Sequence, residues 1–286
     1  MKRKEFIKKG LIGALAVTAG AKAAKAEQPS TSTNKQVGFE HIQKTGEKTM
    51  KTIVHKANTR GHANHGWLDT NHTFSFSNYY DPSRMNFGVL RVLNDDIVAG
   101  GMGFGTHPHD NMEIISIPLS GDLEHKDSMG NTMVIKEGDV QIMSAGTGVR
   151  HSEYNKNKDQ EVNFLQIWVF PKFRGAEPRY EQITFNPSDR KNALQNVVSP
   201  TEGDGAVTIG QDAWFHLSDL DKGKSLKHDI NIQGNGWYLF VLEGDLSVGG
   251  EKLNKRDGMG IWDTESLEIT ADSDARFLLM EVPMEV

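Results

Sequence analysis

Cysteine is absent from the 286 residues. That excludes disulfides, thiolate metal sites, iron–sulfur clusters and cysteine nucleophiles together, so any metal here must take nitrogen and oxygen ligands. A basic excess is missing too. The chain has 32 Lys and Arg against 38 Asp and Glu, a formal net charge of −6, which argues against nucleic acid as a partner. Beyond the N-terminus no apolar run is long enough to span a bilayer, and helical periodicity is weak. No Gly-x-Ser-x-Gly elbow or paired-acid glycosidase arrangement stands out. What is plentiful is glycine, 29 residues, which together with short β-branched and aromatic runs reads as many turns between short strands.

The N-terminus is the exception to the charge balance. Lys2, Arg3, Lys4, Lys8 and Lys9 form a basic head, Gly10 to Ala21 is weakly apolar, and Ala24-Lys25-Ala26 fits a small-x-small cleavage pattern with cutting before Glu27. Arg3-Lys4-Glu5-Phe6-Ile7-Lys8 is similar to a twin-arginine export signal with one arginine replaced by lysine. The expectation is an export signal over residues 1–26, a periplasmic product, and no stable membrane insertion after cleavage. Removing that segment takes away seven basic residues and one acidic one, leaving 25 basic and 37 acidic and a net charge of −12. Residues 27–50 are rich in Ser, Thr, Gln, Lys and Glu, the composition of a flexible tether.

Ordered structure is expected from Lys51. Strand-like runs at Phe74–Tyr80, Phe87–Leu93, Glu113–Leu119, Met133–Ile135, Val140–Met143 and Phe164–Phe170 predict a sandwich or barrel of antiparallel strands. The second half repeats the first. Ile117-Pro118-Leu119-Ser120-Gly121-Asp122-Leu123 returns as Phe240-Val241-Leu242-Glu243-Gly244-Asp245-Leu246, and Lys136 to Val140 returns as Lys255 to Met259. Such a repeat predicts two similar barrels, placed at 51–177 and 178–286.

Chemistry concentrates in the first of these. On a strand, residues two apart face the same way, so His107 and His109 point into one cavity. About forty residues on, His151 and Glu153 follow the Gly-rich stretch Gly146-Thr147-Gly148 with the same spacing. A lone strand histidine is ordinarily a surface or hydrogen-bonded residue; two such pairs on neighbouring strands can meet at one ion. His107, His109, His151 and Glu153 are therefore the expected ligands of one divalent metal, with two positions left open on an octahedral ion. Glu153 is also the candidate catalytic base. Glu113 and His125 are placed tentatively as supporting groups around the ligands, whereas His55, His62, His65 and His72 are not expected to bind. The offsets of the His pair, transferred to the second repeat, fall on Ile230 and Ile232, and neither His216 nor His228 belongs to a His-x-His. The trailing barrel is accordingly expected to hold no metal.

Gly103-Phe104-Gly105-Thr106-His107-Pro108-His109 followed by Met112-Glu113-Ile114, with Met143 to Asn155 around His151-Ser152-Glu153, resembles the two motifs of the pirin family. Gly66-Trp67-Leu68-Asp69, Tyr79-Tyr80-Asp81-Pro82 and Gly258-Met259-x-Ile261-Trp262 are similar to bacterial pirins as well. The resemblance implies an all-β fold of two tandem cupin barrels (double-stranded β-helix, jelly-roll), with metal only in the N-terminal cupin. It implies the same four ligands, with Fe(II) the usual ion and Mn, Ni, Cu or Zn compatible, and Glu113 outside the ligand set. It further implies a quercetin 2,3-dioxygenase-like enzyme that cleaves a flavonol with O2 and releases CO; separately, a monomer is expected. The alternative is a non-catalytic, metal-containing binding or regulatory protein of the same family.

Overall fold

The computed structural model describes residues 49–286; the expected export signal and nearly all of the tether lie outside these. The first strands are β1 (Lys51–His55), β2 (Gly61–Asn64), β3 (Leu68–His72), β4 (Leu90–Val98), β5 (Gly103–His109), β6 (Glu113–Ser120), β7 (Asp122–Asp127), β8 (Thr132–Lys136), β9 (Asp139–Ser144), β10 (Val149–Asn155), β11 (Val162–Val169) and β12 (Arg179–Thr184). After them come β13 (Gln195–Ser199), β14 (Val207–Thr208), β15 (Trp214–Leu220), β16 (Ser225–Asp229), β17 (Asn235–Glu243), β18 (Leu246–Val248), β19 (Glu251–Leu253), β20 (Gly258–Trp262), β21 (Ser266–Ala271) and β22 (Ala275–Pro283). Two 3-10 turns are the only helical elements among the described residues, and no helix there is long and apolar enough to cross a membrane.

Each barrel is a seven-stranded sheet facing a four-stranded one. The leading barrel has the orders β12-β9-β6-β11-β4-β3-β2 and β5-β10-β7-β8; the trailing one has β1-β20-β17-β22-β15-β13-β14 and β16-β21-β18-β19. A division at 177/178 does not match these sheets. Strand β1 leaves the leading barrel and pairs antiparallel with β20, Lys51 opposite Trp262, while β12 crosses back to pair with β9, Arg179 opposite Ser144. The barrels thus exchange edge strands, which also covers an open edge of each large sheet.

Alternation along the strands sends one set of side chains from each large sheet outward, toward the other barrel. Ile115 and Ile117 of β6, and Leu165, Ile167 and Val169 of β11, point outward against Phe215, Leu217, Tyr238, Phe240, Leu278 and Met280 of the trailing sheet. This shared layer is one core, sealed by a second device in which Arg60 and Arg256 both reach Asp95 Oδ2, at 3.5 and 3.3 Å. Inside the trailing barrel the filling is apolar, built on Trp237, Leu239, Val241, Met259 and Phe277. The inside of the leading barrel is not: below its mouth lie Ser116, Gln166, Asp96, Thr70 and His72, all buried. Thr70 donates to Asp96, whose carboxyl burial raises to about 7.

The repeat is visible atom by atom. Gly121 and Gly244 have φ +76° and +75°, and a Cβ at either would stand within 2.7 Å of a backbone oxygen, so only glycine fits both turns. The second shared piece is offset by one residue from the sequence alignment. Asp139 and Asp257 are the equivalents, each accepting from the backbone N–H three residues before it, of Lys136 and Asn254. The aromatic run Phe74–Tyr80, expected as a strand, is a loop held by one bridge, Phe76 to Tyr79. Its rings point different ways: Phe74 joins the layer between the barrels, and Phe76 packs against Trp168.

His55 of the exchanged strand shares a hydrogen bond with the Tyr238 hydroxyl at 2.8 Å. Burial, helped by the Arg84 charge and opposed by Asp81, lowers its pKa from 6.5 to about 4. His72 falls equally far, to about 4, through burial and then His65, Arg60 and His62. Both rings are neutral in the fold and take a proton in the unfolded chain near pH 6.5. Stability is therefore full above that pH and is lost as pH falls toward 4. We expect the melting temperature to be flat near pH 7 and to drop below about pH 6.5, with His55→Gln flattening the slope. An unchanged slope in that variant would remove His55 from the account.

Candidate metal centre

The cavity of the leading barrel is built where β5, β10 and β7 run side by side. Antiparallel pairing sets His151 opposite His107 and Val149 opposite His109; a bulge then puts Glu153 opposite Phe104. The irregularity has a use. It turns the Gly105 carbonyl toward His107 Nδ1, at 2.8 Å. A carbonyl only accepts, so Nδ1 carries the proton and Nε2 keeps its lone pair for the cavity.

Three of the four expected ligands converge. His107, His109 and His151 each offer a nitrogen, and these atoms lie within 4.8 Å of one another. Ring centroids are 4.4 Å apart for His107 and His151, and 4.9 Å for each of the other two pairs. His109 Nε2 and both nitrogens of His151 are buried without a hydrogen-bond partner. Buried polar atoms in native folds are ordinarily paired, and three gathered imidazoles, two of them with orphaned nitrogens, fit a divalent ion. Burial, then His151 and His107, lowers the His109 pKa to about 4, while burial, then His107 and His125, lowers that of His151 to about 3. Both rings are thus in the ligand-competent neutral form.

Glu153 is buried on the same face of β10, outside that close group. Gln166 Nε2 donates to both of its oxygens, at 2.9 and 2.8 Å, and Ser116 Oγ donates to Oε1 at 3.2 Å. His125 is fully buried with its ring 5.3 Å from His151; its Nε2 lies 3.0 Å from Asp127 Oδ2, and Tyr180 of the crossed-over β12 packs on it at 4.9 Å. Glu113 is a correction. It shares the outward face of β6 with Ile115 and Ile117, and its carboxylate accepts from Ser144 Oγ at 2.7 Å and Gly210 N at 3.1 Å. It braces the joint between the barrels and stands away from the imidazoles. The other first-half histidines are elsewhere: His62 is on Asp69, and His72 is buried against Phe76 and Tyr79.

Three supporting side chains carry no local sequence signal. Gln166 and Trp168 lie on the inward face of β11, a run that is apolar on both sides, and Tyr180 arrives from beyond the expected boundary. Trp168 stands edge-on to His109 at 4.8 Å and to Phe76 at 5.3 Å, making an aromatic wall beside the ligands. Its indole Nε1 is buried and unpartnered.

Residues 53–169 match the Pirin family profile, and residues 196–282 match one described as the quercetinase C-terminal cupin domain. A quercetin 2,3-dioxygenase of Escherichia coli K12 is 47% identical over 230 residues, 80% of this chain and 98% of that protein. A pirin-like protein of Caulobacter vibrioides is 40% identical over 222 residues, 77% of this chain and 95% of its own length. The crystal structure of the bacterial pirin YhhW from Escherichia coli in complex with nickel(II) superposes with a TM-score of 0.78 at 45% identity, covering 82% of this chain and all of that one. Two tandem cupins exchanging edge strands, a gathered imidazole triad for a divalent metal, and similarity along both halves make one conclusion: the chain is a member of the pirin family.

Proposed function

We propose that this protein is a metal-dependent dioxygenase that cleaves flavonols of the quercetin type with O2 and releases CO. The observation that carries the reading is the imidazole triad at the foot of an aromatic wall, with a buried carboxylate beside it. His107, His109 and His151 are the ligands we assign, with Glu153 as a fourth that can turn toward the ion; Fe(II) is the ion we infer. When bound, the ion supplies Lewis acidity that lowers the pKa of an enolic hydroxyl.

The chain's own groups do the rest. Trp168 and Phe76 give a flat flavonol an apolar face to lie against. Glu153 accepts the proton of the substrate's 3-hydroxyl. Gln166 and Ser116 fix the direction in which that carboxylate presents its lone pairs. Removing the proton leaves the electron-rich enolate, the form of the substrate that is open to dioxygen. His125 and Asp127 brace the ring of His151 from behind. The Escherichia coli relative that bears the name quercetin 2,3-dioxygenase supports the choice of substrate.

Metal-reconstituted protein mixed with quercetin in air should consume O2 and release CO in equal amounts while the flavonol absorbance disappears. Loss of absorbance without CO would point to simple oxidation and sink the reading. We further infer that residues 1–26 direct the folded, metal-loaded protein to the periplasm, on the strength of the basic head and the twin-arginine-like order. Osmotic-shock fractionation should recover the shortened chain outside the cytoplasm, and Arg3→Gln with Lys4→Gln should retain it inside; full-length protein that stays cytoplasmic in both cases refutes this.

A further inference from the structure

The trailing barrel has its own histidine pair at the mouth, His216 buried and His228 partly buried. His216 of β15 and His228 of β16 come from strands paired with β22 and β21 respectively, and the barrel brings their rings to 4.9 Å, centroid to centroid, at 62°. That is the separation of His109 from His151 in the leading barrel, where the tilt is 68°. By strand order β16 is the counterpart of β5, which carries His107 and His109, so one of the two histidines stands on the equivalent strand. Beside them is Glu281 of β22, fully buried, with Oε2 at 3.9 Å from His228 Nε2.

The cluster is short of hydrogen-bond partners. His216 is 8% exposed, and its Nδ1 has no partner; nor do His228 Nε2 and Trp237 Nε1. The Glu281 carboxylate accepts from the backbone N–H groups of Asn231 and Ile232 and from the side-chain amides of Asn231 and Asn235. These donors fix the side chain at the barrel mouth, facing the two imidazoles. Burial lowers the pKa of His216 to about 4 and also lowers that of His228, where Glu281 and Asp229 oppose it. Both rings are therefore neutral near pH 7.

The geometry points to a second transition-metal site, formed by His216 and His228 with Glu281 as the anionic partner. Two neutral imidazoles and one carboxylate suit a borderline divalent ion. Among the described residues only the leading triad already has three donor atoms within 4.8 Å. Loading the trailing site therefore asks a side chain to turn, and its affinity should be the weaker of the two.

The test counts Ni2+ equivalents bound by the full mature chain in equilibrium dialysis. Wild type should bind two, His151→Ala one, His228→Gln one, and the double variant none. In the His151→Ala background, Co2+ should give d–d absorption that His216→Gln abolishes while the thermal melt stays cooperative. Quercetin cleavage, which belongs to the leading barrel, should be unchanged in His228→Gln, so failure here is separable from failure of the proposed activity. One equivalent in wild type, or a second equivalent that survives His228→Gln, overturns the assignment.

Discussion

His151→Ala should lose the tightly held metal of the leading barrel and, with it, turnover on quercetin. His151 is 1% exposed, and neither of its ring nitrogens has a hydrogen-bond partner, so a ligand role gives the inward nitrogen a partner that the fold itself does not supply. The remaining His107 and His109 sit on one strand and reach the ion from one side only. Loss of an outer-shell partner already costs about 10–100-fold in affinity or activity; loss of a ligand that closes the triad from the opposite strand should cost at least about 100-fold. Bound metal counted by mass spectrometry and kcat at fixed total metal check this together. A variant that keeps the tight equivalent at wild-type affinity contradicts the triad.

The same variant reports on stability. A ligand that binds only the folded form adds about 2.7 kcal/mol when present at 100 times its dissociation constant. Wild type should therefore melt several degrees higher with metal than without, and His151→Ala should keep only the part of that shift owed to the weaker trailing site.

How much of this was legible in the sequence depends on whether the information was local. The His107/His109 and His151/Glu153 pairs follow from the two-residue period of a strand, and the structure brings their three imidazoles together. The duplicated barrel followed from Gly121 and Gly244, because only glycine tolerates those turns. Glu113 was misplaced because β6 carries isoleucines on both faces: Ile115 and Ile117 fill the layer between barrels while Ile114 lies inward, so composition does not say which face a polar residue joins. Gln166 and Trp168 were hidden for the same reason on β11. The strand exchange was out of reach, since β1 and β20 are about two hundred residues apart and no local pattern records their pairing. His216 and His228 are alike in this. They stand on separate strands without a shared motif, and only the closed barrel makes them neighbours.

Glu153→Gln should separate holding the metal from doing the chemistry. The substitution keeps the size of the side chain and one oxygen that can face the cavity, but an amide does not take a proton from the substrate hydroxyl. Removing a positioned general base ordinarily costs about 10²–10⁴-fold, and kcat at saturating metal should fall by that order. Bound metal should fall far less than in His151→Ala, because the triad is intact. The geometry supports the division: the Glu153 oxygens are engaged by Gln166 at 2.9 and 2.8 Å and by Ser116 at 3.2 Å, outside the close group of imidazoles. Gln166→Leu should then act through Glu153, leaving the base in place but loosely aimed, with a smaller loss of kcat and little change in metal content. If Glu153→Gln instead loses metal and turnover in parallel, and excess metal restores the rate, Glu153 is a ligand and no base. The proton of the bound flavonol must in that case leave by another acceptor, and Asp96, a buried carboxyl of the inner wall raised to about 7 and bonded by Thr70, is the next residue to replace.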